Sequence, residues 1–263
     1  MITLYHYDRS TAAQRVRLLI EEKGLEWKSV IVDTARGDVD QLPENYHELN
    51  PKGLVPAIEH NGRGMSESTI LLEYLDDAFP ETSFRPANAE DRADMRRWIY
   101  RIGDGVHVAS RTIGVCIVNR FIYLEQGKKK IEAYHSEMRD LVRRDNDKVN
   151  IAMGLESPLL PDALKTFKSL FADMNDRLAD SGWLAGDSYS LADIALVVYL
   201  RRMESFMMAP LWADHVHLND WYARIAARPA YHKAVVEWGD ITEAKRTEHG
   251  RGAFDAIEKL WNA

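Results

Sequence analysis

Hydrophobic and polar positions change period several times within the first 80 residues. Residues 3–7 (TLYHY) are β-prone. Residues 11–23 then repeat at helical spacing. Val16, Leu19, Ile20 and Lys23 share one face, the lysine through its aliphatic stem. Gly24 suits the position just past a helix end. β character returns at 27–33 (WKSVIVD), and a polar loop with Pro43 inside it spans 34–50. Residues 55–59 (VPAIE) predict a short strand, Asn61 and Gly62 a turn, and 63–65 the returning strand. Residues 66–78 predict a helix with Ile70, Leu71, Tyr74 and Leu75 on one face. The order β-α-β, loop, β-β-α predicts a small mixed sheet covered by helices.

Phe79 and Pro80 end this pattern, and 81–89 (ETSFRPANA) reads as a linker. Everything after Glu90 has helical spacing. Met95, Trp98, Ile99 and Ile102 fall on one side of 93–103, and Phe167, Leu170, Phe171, Met174 and Leu178 on one side of 164–179. Residues 190–202 are apolar enough to be buried, and 221–227 give a short helix stopped by Pro229. The fold class is therefore α/β plus all-α: an α/β domain over 1–80, a linker over 81–89 and an all-helical domain over 90–263. Within the latter, 120–160 interleaves Lys128 to Lys130, Arg143 and Arg144 with Glu132, Glu137, Asp140, Asp145 and Asp147. That run reads either as a solvated helical face or as a lid over a site. Residues 151–161 (IAMGLESPLLP) break the helical pattern after it.

At 263 residues the chain can bury a sizeable core, and 46% hydrophobic residues argue against disorder. A net charge of −7, from 34 basic against 41 acidic side chains, argues against a uniformly basic nucleic-acid binder. Cys116 is the single cysteine, so neither an intramolecular disulfide nor a cysteine-rich metal site can form. No metal is expected. The longest apolar runs, such as 113–118 (IGVCIV), fall far short of the roughly 18 to 20 residues of a membrane span. The opening MITLYHYDRS lacks a basic region followed by a long apolar core, so a cytoplasmic protein without membrane or nucleic-acid partners is expected.

Three places carry candidate chemistry. At the first strand–helix junction, Ser10 or Thr11 either caps the helix or uses its free amides and dipole to hold a thiolate or phosphate. In 50–56 (NPKGLVP), Pro56 is odd for a central strand. A cis Val55–Pro56 bond would leave the Val55 amide and carbonyl for a ligand; the alternative is an ordinary edge proline. In 66–69 (SESTI begins here), Ser66 either caps the next helix, or Glu67 offers a carboxylate to an amine while Ser68 and the helix N-terminus offer donors to a carboxylate.

Together these stretches resemble the soluble glutathione transferase superfamily. The resemblance is carried by R-S-T-A-A-Q-R-V-R-L-L-I-E-E-K-G (9–24), N-P-K-G-L-V-P-A-I (50–58), E-S-T-I-L-L-E-Y-L-D-D-A-F-P (67–80) and G-W-L-A-G-D-S-Y-S-L-A-D-I-A (182–195). It spans about the whole chain and implies a thioredoxin-like N-terminal domain, an all-helical C-terminal domain and glutathione as co-substrate. Ser190 and Asp193 resemble the family's helix-capping box, a folding element.

By resemblance to serine-type members, Ser10 donates to the glutathione sulfur, with Thr11 as the alternative donor. Ala12 and Ala13 depart from the pattern, since some relatives place a hydroxyl or amide there. Val55, before Pro56, matches the residue whose backbone pairs with the cysteinyl part; Leu54 stands where many members have Gln. Glu67 matches the acceptor for the γ-glutamyl amine and Ser68 the donor to its carboxylate. Gln41 and Lys52 are candidates for the glycine carboxylate. Tyr7, Trp98, Asp104, His107, Arg111 and Tyr123 are candidates for a hydrophobic, aromatic electrophile between the two domains. The resemblance is nearest to the bacterial glutathione-dependent β-etherases of lignin breakdown, of the fold-typical type, and implies a homodimer. The rival readings are a broad-specificity detoxifying conjugase, a zeta-like isomerase, and a non-catalytic protein that keeps the fold for partner binding.

Overall fold

Strand β1 (Ile2–His6) alternates buried and half-buried side chains and lies inside a four-stranded sheet. The structure, a computed structural model, describes residues 1–32, 46–238 and 243–263, except for the side chain of Glu137. The strand order is β2-β1-β3-β4, with β2 at Trp27–Ile31, β3 at Ala57–His60 and β4 at Arg63–Ser66. Strand β2 runs parallel to β1, which requires a crossover, and helix α1 (Thr11–Glu22) supplies it. Strands β3 and β4 are antiparallel to their neighbours and joined at Asn61 and Gly62, both with positive φ, as the turn signal predicts. A one-turn helix α2 (Tyr46–Leu49) precedes β3, and α3 (Ser68–Ala78) follows β4 and packs on α1.

The remaining elements are helical: α4 (Ala89–Arg101), α5 (His107–Gly114), α6 (Arg120–Gln126), α7 (Lys128–Glu137), α8 (Leu141–Met153), α9 (Leu160–Ser181), α10 (Leu191–Ser205), α11 (Val216–Ala226), α12 (Pro229–Tyr231) and α13 (Glu243–Asn262). The chain thus has the expected sheet-and-helix N-terminal part and helical remainder. It packs as two compact units. One comprises Met1–Ile99, Ser181–Val198 and Trp221–Asp240; the other comprises Tyr100–Asp180, Tyr199–Asp220 and Ile241–Ala263.

Several local expectations shift. Strand β3 begins at Ala57, not 55, because Pro56 has no N–H to give the ladder; the Val55–Pro56 bond before it is cis. Ser66 is the last residue of β4, opposite Ala57, so it is not the cap; Glu67 occupies the cap position of α3, and its side chain makes no bond to the helix's first amides. On α3 the buried apolar positions are Leu71, Leu72 and Leu75, with Asp76 buried beside them, while Ile70 is exposed. The helix predicted over 93–103 begins at Ala89, with Asn88 Oδ1 accepting from the Asp91 N–H at 2.7 Å, and breaks at Asp104 and Gly105. Pro229 opens α12 as well as following α11.

Lys23 does more than bury a stem. It caps α1, Gly24 behind it takes the left-handed φ of +63°, and its ammonium is buried 2.8 Å from Asp76 on α3. Asp76 also accepts from Ser83 Oγ, the Phe84 N–H and Arg85 Nε, each at 2.9 Å. Burial alone would raise this carboxyl, but Lys23, Phe84 and Ser83 outweigh it and hold it below the usual range. The expected linker is therefore tied down: Phe84 is buried, and its carbonyl accepts from the Leu191 N–H.

Helix α10 is fully buried from Leu191 to Leu200, which includes Asp193. Asp193 Oδ2 accepts from the Ser190 N–H and Oγ–H, both at 2.8 Å, forming the expected capping box. Its Oδ1 accepts from the Leu184 N–H at 3.1 Å and from Trp221 Nε1 at 2.7 Å. Asp193→Ala leaves these donors buried without an acceptor. A loss of about 3 to 5 kcal/mol in urea unfolding is expected; a loss below about 1 kcal/mol would mean the donors find other partners.

At the end of β1, His6 is fully buried between Trp27 and Trp238, at 5.4 and 4.7 Å between ring centres. Arg17 can only donate, so the His6 Nδ1 at 2.9 Å accepts, and Nε2–H donates to Ser29 Oγ at 2.8 Å. Burial first, and the Arg17 charge second, push the imidazole down to about 3. Below pH about 6.5 the unfolded chain takes up this proton and the folded chain does not. The His6 contribution is thus complete above pH about 6.5 and falls by about 1.4 kcal/mol per unit as pH drops. The difference between wild type and His6→Asn in urea unfolding, followed from pH 7 to 5, should show this slope. Parallel lines would reject it.

Candidate active site at one end of the sheet

The sheet register brings three loops together. Tyr5 pairs with Ala57 and Ala57 with Ser66, across β1, β3 and β4. The chain leaving β1 toward Ser10, the chain entering β3 through Val55 and Pro56, and the chain leaving β4 toward Glu67 and Ser68 therefore share one end of the sheet. The N-termini of α1 and α3 lie at the same end. Arg15 Nη1 on α1 stands 3.4 Å from Ser68 Oγ at the start of α3. Two helix N-termini present free amides and positive dipole ends there.

Ser10 is the N-cap of α1, with extended backbone and Oγ accepting from the Ala13 N–H at 3.2 Å. A hydroxyl has one donor and two acceptor sites, so capping uses a lone pair and leaves the O–H to donate elsewhere. The cap and the anion-binding readings are compatible. Thr11 is the first helical residue and is buried.

The 50–56 loop is held by Asn50. Its carbonyl accepts from the Gly53 N–H at 2.9 Å, and its Oδ1 accepts from the Lys52 N–H at 3.1 Å. Gly53 takes φ +64°, and a Cβ there would stand 3.0 Å from His47 Cε1. The Leu54 carbonyl accepts from Asn50 Nδ2 and from buried Tyr46 Oη, both at 2.6 Å. These bonds fix the peptide before Val55, which itself stands outside the strand ladder. Glu67 has φ +70°, a conformation unusual for a residue with a side chain. Lys52 and Glu67 meet in an exposed ion pair at 2.6 Å. Gln41 lies outside the described residues.

The other candidates are spread along the chain. Tyr7 is buried, and its Oη accepts from Arg9 Nη2 at 2.7 Å. Trp98 is half-buried on α4, Asp104 is exposed at the break after α4, and His107 opens α5 with Nδ1 3.1 Å from Tyr199 Oη. Arg111 and Tyr123 share a buried cluster. Arg111 Nε donates to Asp147 Oδ1 at 2.8 Å, and Nη2 donates to Asp147 Oδ2 and to Tyr134 Oη. Tyr123 stacks on Tyr134 at 5.5 Å. Burial would raise the Tyr134 phenol, yet Arg111 and Arg143 hold it below its ordinary value. Asp147, part of the interleaved charge run, is buried rather than solvated, while Lys128 to Lys130 are exposed. Cys116 is buried, which pushes its thiol up to about 12 and makes it a poor nucleophile. Among the described residues no group of three or more His, Cys, Asp or Glu side chains is arranged to hold a metal ion, and no helix is long and apolar enough to cross a membrane.

A family model described as the glutathione S-transferase N-terminal domain matches residues 4–83, and one described as its C-terminal domain matches 141–224. The chain belongs to the glutathione S-transferase family. It is similar to Protein LigF of Sphingobium sp. strain SYK-6, 28% identical over 240 residues that cover 87% of this chain and 91% of that protein. It is also 25% identical to a maleylacetoacetate isomerase of Pseudomonas aeruginosa over 233 residues, covering 88% and 94%. The solved structure of the β-etherase LigF from Sphingobium sp. strain SYK-6 superimposes with a TM-score of 0.79 at 25% identity, covering 90% of this chain and 99% of that one. The family uses glutathione as co-substrate.

Motif reading missed Asn50, Arg15 and Arg17 as shapers of the site. The available signal is that both arginines interrupt an otherwise apolar helical run, R-V-R-L-L-I, and are fully buried there. In the transferase's α5–α8 cluster, Arg111→Met strands the Asp147 carboxylate. It should cost about 3 kcal/mol in urea unfolding, and Arg111→Met with Asp147→Leu should recover most of that. No recovery would mean the pair is not the source of the loss.

Proposed function

We propose that Ser10 donates its O–H to the glutathione sulfur and, with the N-terminus of α1, stabilises the thiolate. The observation that carries this reading is the convergence of two helix N-termini and the Val55–Pro56 loop at one end of the sheet. A free thiol has a pKa of about 8.5 and is only a few per cent ionised at neutral pH. A donated hydrogen bond and a helix dipole both favour the anion. Thr11 is the second donor. The Val55 backbone pairs with the cysteinyl residue, between Leu54 and Pro56. Glu67 takes the γ-glutamyl ammonium, Ser68 the neighbouring carboxylate, and Lys52 the glycine carboxylate. Gln41 shares that last role. Lys52 and Glu67 exchange each other for the two ends of the ligand.

The thiolate then attacks an electrophilic carbon of an aromatic compound. In the β-etherase reading, supported by the likeness to LigF, sulfur bonds to the carbon beside a ketone as the C–O bond breaks. The phenoxide takes the electron pair and a proton from water. No base is needed once the thiolate is present, and holding both reactants in line supplies much of the rate. Tyr7, Trp98, Asp104 and His107 are our candidates for contacts with the aromatic substrate; Arg111 and Tyr123 would act through the buried cluster. We place glutathione binding in the domain over 1–80, joined through 81–89 to a domain over 90–263 that takes the second substrate. The protein is a cytoplasmic homodimer in this reading. The likeness to a maleylacetoacetate isomerase favours a second reading, in which the same thiolate adds reversibly to an unsaturated acid.

Calorimetry with glutathione and product analysis with a β-aryl ether ketone test the first reading. Wild type should release a phenol, and Ser10→Ala should slow release by about a hundredfold. Binding without phenol release would move the substrate elsewhere; full activity in Ser10→Ala would move the donor role to Thr11 or the backbone.

A further inference from the structure

Arg17 lies on α1, about two turns beyond Ser10, and its side chain is fully buried. Its guanidinium reaches back to the loop that carries Ser10. Nη1 donates to the Tyr7 carbonyl at 3.2 Å and Nη2 to the Asp8 carbonyl at 2.9 Å. The Tyr7 carbonyl also accepts from the Ser10 N–H at 3.2 Å, so a single oxygen connects Arg17 to Ser10. On its other side, Nε donates to the Ala234 carbonyl at 2.8 Å, and the guanidinium lies 4.8 Å over the Trp238 ring. Nη1 also faces His6 Nδ1 at 2.9 Å. Every one of these partners belongs to the unit that contains the sheet.

We infer that Arg17 is a positioning residue for the thiolate: anchored by Ala234 and Trp238, it fixes the carbonyls of Tyr7 and Asp8 and thereby aims the Ser10 hydroxyl and the α1 N-terminus. This inference rests on the reading of Ser10 given above. The geometry explains why a planar fork is used. Arg17 spans three carbonyls and a ring face at once, which an ammonium on a flexible stem cannot do. A loop between a strand end and a helix start has two carbonyls pointing away from either ladder, and buried carbonyls need donors. Arg17 supplies them from behind, leaving the front of the loop for a ligand. Lys52, Val55 and Glu67, proposed above to hold the rest of the peptide, are on other loops. Affinity for the protonated peptide is therefore separable from the aim at its sulfur.

The test is the thiol pKa of bound glutathione, read from its ultraviolet thiolate absorbance against pH, beside the glutathione Kd from calorimetry. Wild type, Ser10→Ala, Arg17→Lys, the double variant and Trp238→Leu are compared. Arg17→Lys should raise the bound thiol pKa by about one unit, at most a tenfold loss of thiolate, with Kd changed less than about threefold when measured at a pH below the bound pKa, where the ligand binds as the thiol. On the Ser10→Ala background the same substitution should add little, because Arg17 acts through Ser10. Trp238→Leu leaves all the Arg17 bonds possible but removes the ring beneath it, and should shift the pKa in the same direction by less. It serves where Arg17→Lys does not fold. An unshifted pKa in both Arg17→Lys and Trp238→Leu overturns the inference. Additive shifts in the double variant, or a Kd for the thiol form, below the bound pKa, that weakens about tenfold, also overturn it and leave Arg17 as a folding element. If Ser10→Ala itself leaves the pKa unchanged, it is the Ser10 reading that fails.

Discussion

Tyr5, Ala57 and Ser66 stand in one row across the sheet, and that row determines where three connecting segments emerge. An antiparallel register admits no slip by one residue without turning every side chain to the opposite face. Leu4 and Ile58 are paired and both fully buried, so such a slip would expose them. Burial of the sheet's apolar face thus sets the spacing between the start of α1, the cis peptide bond and the start of α3. The chemistry at the end of the sheet inherits its geometry from the core beneath it. Holding donors in place before the ligand arrives is what makes such sites effective, because nothing has to reorganise during the reaction.

Two buried cations brace this arrangement in different ways, and a half-buried one ties helices of the other unit together. Lys23 pairs with Asp76 and locks the end of α1 to α3 and to the segment after it. Arg17 directs its donors to three backbone carbonyls and to His6. Burial draws its guanidinium down to about 9, which still leaves it charged at neutral pH. Arg111 forms a fork with Asp147 beside two phenols. A buried pair is weak evidence of net stability but a strong demand on geometry, since either partner alone is costly. Each cation joins residues distant in sequence, so each specifies one arrangement of helices over others.

Much of this was legible from sequence because the signals are local. Period two gave way to period 3.6 at the strand and helix of the N-terminal part, Gly24 marked a helix end, Asn61 and Gly62 a hairpin, and Ser190 with Asp193 a cap. The residues bearing candidate chemistry were visible as polar groups where helices begin. What escaped reading depends on partners far along the chain. Nothing near Lys23 announces Asp76, and nothing near Arg17 announces Ala234 and Trp238. Ser66 looked like a cap, but strand pairing with Ala57 claimed it, and the helix began two residues later. Ile70 fitted the periodic face, yet a small rotation of α3 buried Leu72 instead. Tertiary pairing overrides local preference at such borders.

The exposed pair of Lys52 and Glu67 has a consequence for discrimination among ligands. The two charges sum to zero, so the pair exerts little long-range pull on an ion of either sign. A zwitterion exchanges one contact for two and leaves the local sum unchanged. A ligand bearing only a carboxylate frees Glu67 to face it, and one bearing only an ammonium does the same with Lys52. Each such ligand breaks as many contacts as it makes. If the two ends of a peptide replace the partners of this pair, as proposed above, selection for a dipolar ligand would come from cancellation rather than from attraction.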